Sequence, residues 1–172
     1  MLFPNAKPNS AHLALAELEE RELLSAVITQ NIDGLHQAAG SQRVLELHGS
    51  VHRNFCMRCG KSFILEEIIS SSDIPRCSCG GIIKPDVVLY GEQLPWDIVE
   101  SSMEEIARAD LMIIGGTSLT VYPAAGFAAD FAGEMVIINR SPTQLDRRAR
   151  LLIDAPIGQT MAEVMHFLRE IQ

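Results

Sequence analysis

Short apolar runs recur along this chain at Ala26–Thr29, Val44–Leu47, Asp86–Leu89, Leu111–Ile114, Met135–Ile138 and Leu151–Ile153. Runs of this length, without strict polar alternation, suit parallel strands covered on both faces. The segments between the later runs, about Asp97–Arg108, Pro123–Phe131 and Gln159–Glu170, read as helices. So does Ser10 to about Leu24, with Asn9 or Ser10 as its cap and Pro8 fixing the approach. Strands alternating with helices predict an α/β fold built on a doubly wound parallel sheet.

Residues 51–85 break that rhythm. They hold all four cysteines, the serine run Ser70-Ser71-Ser72, turn-forming glycines and an excess of basic over acidic side chains. This predicts a small inserted module, with the α/β domain discontinuous over 1–50 and 86–172. Cys56-Met57-Arg58-Cys59 and Cys77-Ser78-Cys79 form two close pairs, followed by Gly60 and by Gly80-Gly81 where zinc-knuckle turns need glycine. The spacing predicts one zinc ion on Cys56, Cys59, Cys77 and Cys79. A redox dithiol is the competing reading, and His52 is a weaker alternative ligand. Four thiolates close the coordination sphere, so the metal is expected to be structural and not catalytic.

The chain has 172 residues, 47% of them apolar, which is enough to bury a core. Its net charge of −8 argues against a nucleic-acid backbone or an anionic membrane as partner. No apolar run is long enough to cross a bilayer, and unpaired thiols suit a reducing compartment, so a cytoplasmic location is expected.

Polar side chains cluster just after the predicted strands, where open α/β sheets bind ligands. Gln30-Asn31-Ile32-Asp33-Gly34 follows the first strand, with helix capping by Asn31 or Asp33 as its plainer reading. His48-Gly49 follows the second. An imidazole there is available as a neutral base, with a structural histidine hydrogen-bonded near the cysteine module as the plainer reading, and Gly49 lets another group approach closely. Gly115-Gly116-Thr117-Ser118 follows Leu111–Ile114 and offers amides and hydroxyls to phosphate or ribose oxygens. Asn139, after Met135–Ile138, stands in an equivalent place or simply starts a turn before Ser141-Pro142.

In combination these stretches resemble the sirtuin family of NAD-dependent protein-lysine deacylases. The matching motifs run in family order from Pro8-Asn9-Ser10-Ala11-His12 through Gln30-Asn31-Ile32-Asp33, Leu47-His48-Gly49 and the paired cysteines. They continue through Lys84-Pro85-Asp86-Val87-Val88-Leu89-Tyr90-Gly91-Glu92 and Gly116-Thr117-Ser118-Leu119 to Val136-Ile137-Ile138-Asn139. The resemblance implies a Rossmann-type domain joined to a zinc-ribbon module, with NAD+ and an acetylated or acylated lysine peptide meeting between them. It implies His48 as catalytic base, and Gln30, Asn31, Ile32 and Asp33 around the nicotinamide and its ribose. Gly116, Thr117, Ser118 and Asn139 would contact phosphate and adenosine ribose. Val87, Val88, Leu89 and Tyr90 would pair with the substrate peptide as an added strand, although the family more often has Phe where Tyr90 stands.

The implied reaction consumes NAD+. The acyl oxygen attacks the nicotinamide ribose, nicotinamide leaves, and His48 accepts a proton from the ribose hydroxyls. Water then releases lysine and O-acyl-ADP-ribose. Family members also carry, ahead of the position where Met1-Leu2-Phe3-Pro4 aligns, a strand and a Gly-Ala-Gly-Ile-Ser loop. The parallel sheet of this chain is therefore expected to be incomplete on its N-terminal side, with weak NAD+ affinity in isolation. A catalytically impaired, zinc-containing peptide-binding fragment is the alternative reading.

Overall fold

The structure, a computed structural model, describes residues 5–171. Met1–Pro4, whose alignment underlies the expectation about the N-terminal side, lie outside the described residues.

Helix α1 (Ser10–Glu20) begins where Asn9 accepts hydrogen bonds from the amides of Ala11 at 2.9 Å and His12 at 3.2 Å. The His12 ring returns to the Asn9 amide through Nδ1 at 3.2 Å, so cap and third residue satisfy each other. The helix stops at Glu20 rather than near Leu24. Glu22 adopts a left-handed backbone (φ 58°), and the amides of Leu23 and Leu24 fold back onto the Leu18 oxygen.

Strands β1 (Val27–Thr29) and β2 (Val44–Glu46) pair in parallel, joined through the short helix α2 (Leu35–Ala39). A second parallel group, β6 (Leu111–Gly115), β7 (Glu134–Ile138) and β8 (Leu151–Ile153), is linked by helix α5 (Ala124–Asp130) and a 3-10 turn at Asp146–Arg148. No ladder joins the two groups among the described residues, so β1 and β6 each pair on one side only.

Helices lie on both faces of the larger group. Ile114, Met135 and Ile137 face α5, where Ala128 is buried, and Phe131 just past its end. Ile138 faces the opposite way, onto Ala11, Ala14 and Leu18 of α1 and onto Met161 and Met165 of helix α6 (Ile157–Glu170). Burying side chains of this size is worth about 1.5–3 kcal/mol each, which makes β7 the centre of the core. Helix α4 (Trp96–Arg108) packs by β2, where its buried Glu105 accepts from Arg43 at 2.8 Å and Arg108 at 2.7 Å.

A third sheet is antiparallel, in the order β4 (Ser62–Ile64), β3 (Gly49–Cys56), β5 (Ile83–Val87), with helix α3 (Leu65–Ile69) after β4. The run Asp86–Leu89, which the sequence suggests as another parallel strand, is the one element that moves. Its first residues complete β5, antiparallel to β3, with Gly49 facing Val87 and Ser50 facing Asp86. A short apolar run carries no strand-direction signal, and here the pairing partner decides.

Candidate active site and metal centre

The four cysteine sulfurs converge. Cys56 Sγ lies 3.5 Å from Cys79 Sγ and Cys59 Sγ lies 3.7 Å from Cys77 Sγ, with all four within 4.8 Å of one another. Sulfurs at the corners of a tetrahedron around zinc, at about 2.3 Å each, stand about 3.8 Å apart, so the set fits that ion. The turns fit as well. The Arg58 amide donates to Cys56 Sγ at 3.4 Å, and a Cβ on Gly81 would lie 2.6 Å from that sulfur, so only glycine lets the second knuckle close. The Cys79 amide lowers the Cys77 thiol to about 6. The Gly81 amide lowers Cys79, but the neighbouring Cys56 and Cys59 sulfurs outweigh it and push that thiol up to about 12. Thiols crowded this way cannot all ionise without a cation among them. His52 is not part of the cluster.

His48 sits in the turn between β2 and β3, half-buried. Its Nδ1 is 3.0 Å from the main-chain oxygen of Gln30, the residue after β1. A carbonyl only accepts, so Nδ1 carries the proton and Nε2 keeps a free lone pair. Gly49 holds φ 74°, and a Cβ there would stand 1.9 Å from the Asp86 oxygen. That close approach of β3 to β5 brings the Val88 amide to 3.0 Å from the His48 oxygen. The stretch Val87–Tyr90 therefore leaves the sheet edge beside His48, with Leu89 and Tyr90 exposed.

Lys84 and Glu92 tie that stretch together. Lys84 Nζ donates to the Val87 oxygen at 2.9 Å and to Glu92 Oε2 at 3.0 Å, and the Leu89 amide donates to the same carboxylate oxygen at 2.9 Å. The Leu89 amide first, then Lys84, holds the Glu92 carboxyl below its ordinary range.

Gly116, Thr117, Ser118 and Asn139 line one cavity of about 660 Å³ with Asn9, Arg140 and Pro156. It opens at the C-terminal ends of β6 and β7, and its size suits a nucleotide. Asn139 Nδ2 donates to the oxygens of Thr117 at 2.9 Å and Ser141 at 2.8 Å, so it braces the loop. Thr117 Oγ1 reaches Gln30 Oε1 at 3.4 Å and bridges the ends of the two parallel groups.

Ile32 and Asp33 line a second cavity of about 720 Å³ with His52 and Arg53; His48 lines neither. Asp33 also accepts from the Leu35 amide at 3.0 Å, so the capping role is present too. The Asn31 side chain is exposed, while its amide donates to Thr29 Oγ1 at 3.1 Å.

Comparison with known proteins settles the family. The sequence pattern described as the Sir2 family matches residues 1–123. The chain belongs to the Sir2 family. An NAD-dependent protein deacetylase of Clostridium acetobutylicum is 55% identical over 168 residues, which cover 96% of this chain and 69% of the relative. Another, from Thermotoga maritima, is 44% identical over 173 residues, covering 95% and 70%. A solved Sir2 in complex with the inhibitor EX-527, 2′-O-acetyl-ADP-ribose and a deacetylated peptide superposes with a TM-score of 0.91 at 43% identity, covering 96% of this chain and 74% of that one. A Sir2 bound to an acetylated peptide gives 0.89 at 43% identity, covering 96% and 73%. The sheets of this Sir2 chain are thus those of a Rossmann-type α/β fold with a zinc-ribbon module.

Sequence reasoning gave no role to Glu46 or Arg53, and placed Lys84 and Glu92 in a matched motif without foreseeing their contact. A carboxylate inside the apolar run Val44–Leu47 was a usable signal, since a charge in a buried strand requires a partner. Arg53 carries no such mark.

Proposed function

We propose that this Sir2 chain is an NAD-dependent protein-lysine deacetylase, releasing nicotinamide, the free lysine side chain and O-acyl-ADP-ribose. NAD+ supplies the ribose carbon that takes the acyl oxygen. The observation that carries the reading is His48, whose proton sits on the Gln30 side while Nε2 is free, next to the edge strand that begins at Val87.

In this reading His48 Nε2 accepts the proton from the ribose hydroxyl. Gln30 and Asn31 lie along the nicotinamide ribose, and Ile32 and Asp33 hold the carboxamide. Gly116, Thr117, Ser118 and Asn139 hold the phosphates and adenosine ribose in the cavity they line. The acyl-lysine peptide adds as a strand along Val87, Val88, Leu89 and Tyr90, so main-chain pairing accepts many sequences. Cys56, Cys59, Cys77 and Cys79 hold one zinc ion that supports β3 and β5 without entering the chemistry. The organisation is two units, 1–50 with 86–172, and 51–85.

No helix among the described residues is long and apolar enough to cross a membrane. Four free thiols in one cluster favour a cytoplasmic setting, where they stay reduced for zinc.

The test is lysine release from an acetylated peptide in the presence of NAD+, with nicotinamide and O-acetyl-ADP-ribose measured together. Equal amounts of the three products support the reading. Peptide binding without any of them supports the alternative, a zinc-containing peptide-binding chain.

A further inference from the structure

Strands β3 and β5 pair out of step: Ser50 faces Asp86 while Asn54 faces Pro85. Val51, His52 and Arg53 are therefore left without partners on β5, in a bulge beside the loop that follows β1 and the end of β2. Each of the three makes a contact there. The Val51 amide donates to the Ile32 oxygen at 3.0 Å, and His52 Nε2 lies 2.9 Å from the Asp33 oxygen. Arg53 reaches furthest. Its Nη1 donates to Glu46 Oε2 at 2.7 Å and its Nε to Asp86 Oδ2 at 2.9 Å.

Both carboxylates stand two residues from an atom that matters. Glu46, only 6% exposed, is the last residue of β2 and precedes His48 by two. Asp86 precedes Val88 by two, and the Val88 amide donates to the His48 oxygen. One guanidinium thus spans the strand that delivers the imidazole and the strand that flanks it. Two charge-assisted bonds from one rigid fork fix both directions at once.

We propose that Arg53 is a positioning residue for the reaction: through Glu46 and Asp86 it keeps His48 Nδ1 on the Gln30 oxygen. This rests on the reading of His48 as the base. Arg53 is the cation that neutralises Glu46, and without it a carboxylate is left buried and uncompensated. The relief open to that carboxylate is to move toward water. Such a movement takes the end of β2, and with it His48, away from Gln30.

The experiment measures the ring-nitrogen NMR signals of His48 in the zinc-loaded full chain, which report which nitrogen carries the proton. It compares wild type with R53M, the milder R53Q, R53K and E46Q/R53M. A core variant, M165A, in the cluster between α1 and α6, serves as a destabilised control that touches neither Arg53 nor Glu46. The wild type holds the Nδ1–H form. R53M and R53Q are expected to reduce it by at least half, R53K to keep most of it, and E46Q/R53M to restore it because no buried charge remains. M165A is expected to leave it unchanged at a comparable loss of melting temperature. In parallel, kcat for lysine release falls about tenfold in R53Q.

A wild-type tautomer in both neutral Arg53 variants overturns the proposal, as does an equal shift in M165A. Loss of turnover in His48→Ala alongside unchanged R53Q sinks the positioning role alone. A shifted tautomer in R53Q alongside a fully active His48→Ala sinks the base assignment and leaves the positioning geometry standing.

Discussion

His48 Nδ1 and the main-chain oxygen of Gln30 lie 3.0 Å apart, and they join two loops that leave neighbouring parallel strands. A backbone oxygen cannot rotate away or ionise, so the imidazole has one orientation and one neutral tautomer. The lone pair on Nε2 is what general-base chemistry requires.

Replacing that ring tests the assignment directly. His48→Ala is expected to lower lysine release by about 10²- to 10⁴-fold, the usual share of a positioned base. Zinc content and melting temperature should stay near wild type. Product formation within a factor of about three of wild type would remove His48 from the mechanism.

The four-cysteine cluster fits a structural zinc ion that would hold the antiparallel sheet. The wild-type chain is expected to contain one zinc ion, and Cys77→Ser or a strong chelator should remove it. Binding free energies of about 10–16 kcal/mol for structural zinc mean that β3, β4 and β5 lose their cooperative unfolding when the ion leaves. Metal analysis with amide hydrogen exchange of residues 49–87 reports both effects. Full exchange protection after zinc removal would contradict a structural site.

Asn139 donates to two loop oxygens, those of Thr117 and Ser141. Each such bond is worth about 1 kcal/mol, so Asn139→Ala should weaken NAD+ binding by about 5- to 30-fold. Calorimetric titration measures it. Unchanged affinity would separate this cavity from the dinucleotide.

The Lys84–Glu92 pair shapes the turn that follows β5. Lys84→Met is expected to raise KM for acyl-lysine peptide by about threefold to tenfold, by a loss of about 1 kcal/mol, with KM for NAD+ unchanged. The reverse pattern, a rise for NAD+ alone, would place this turn outside the peptide site.

A pH dependence arises from two imidazoles in tilted contact. The rings of His12 on α1 and His36 on α2 lie 4.6 Å apart, and burial lowers both below 6.5, with the charge of His12 adding to the effect on His36 and Asp33 opposing at both. Well above pH 6.5 both are neutral, folded or unfolded. As pH falls below that value the unfolded chain binds protons that the folded chain resists, so stability declines until the lowered folded values are passed. Thermal melts from neutral to mildly acidic pH should show this decline, and His36→Phe should remove at least half of it. A profile unchanged in that variant would assign the decline to other groups.

Much of the site was legible in order along the chain. Strand ends announce themselves where an apolar run meets polar residues, and Gln30, His48, Gly116 and Asn139 all stand at such junctions. The cysteine pairs were legible because zinc demands ligands at short spacing. Arg53 was not, because its function depends on a bulge that shifts β3 against β5, and nothing in Val51-His52-Arg53 marks an out-of-step pairing. Lys84 and Glu92 stood in a matched motif, but their contact was not legible, because it forms only when the turn at Gly91 closes.

The amino-acid order by itself pointed to the strands β1, β2, β6, β7 and β8, the four-cysteine set and a candidate base, since local periodicity and side-chain chemistry are properties of neighbours in the chain. The folded arrangement alone decided the direction of β5, the tautomer of His48 and the joining of Glu46 to Asp86 through Arg53. Those depend on backbone atoms and charges brought within about 3 Å across long sequence separations, and hydrogen bonds act only at that range.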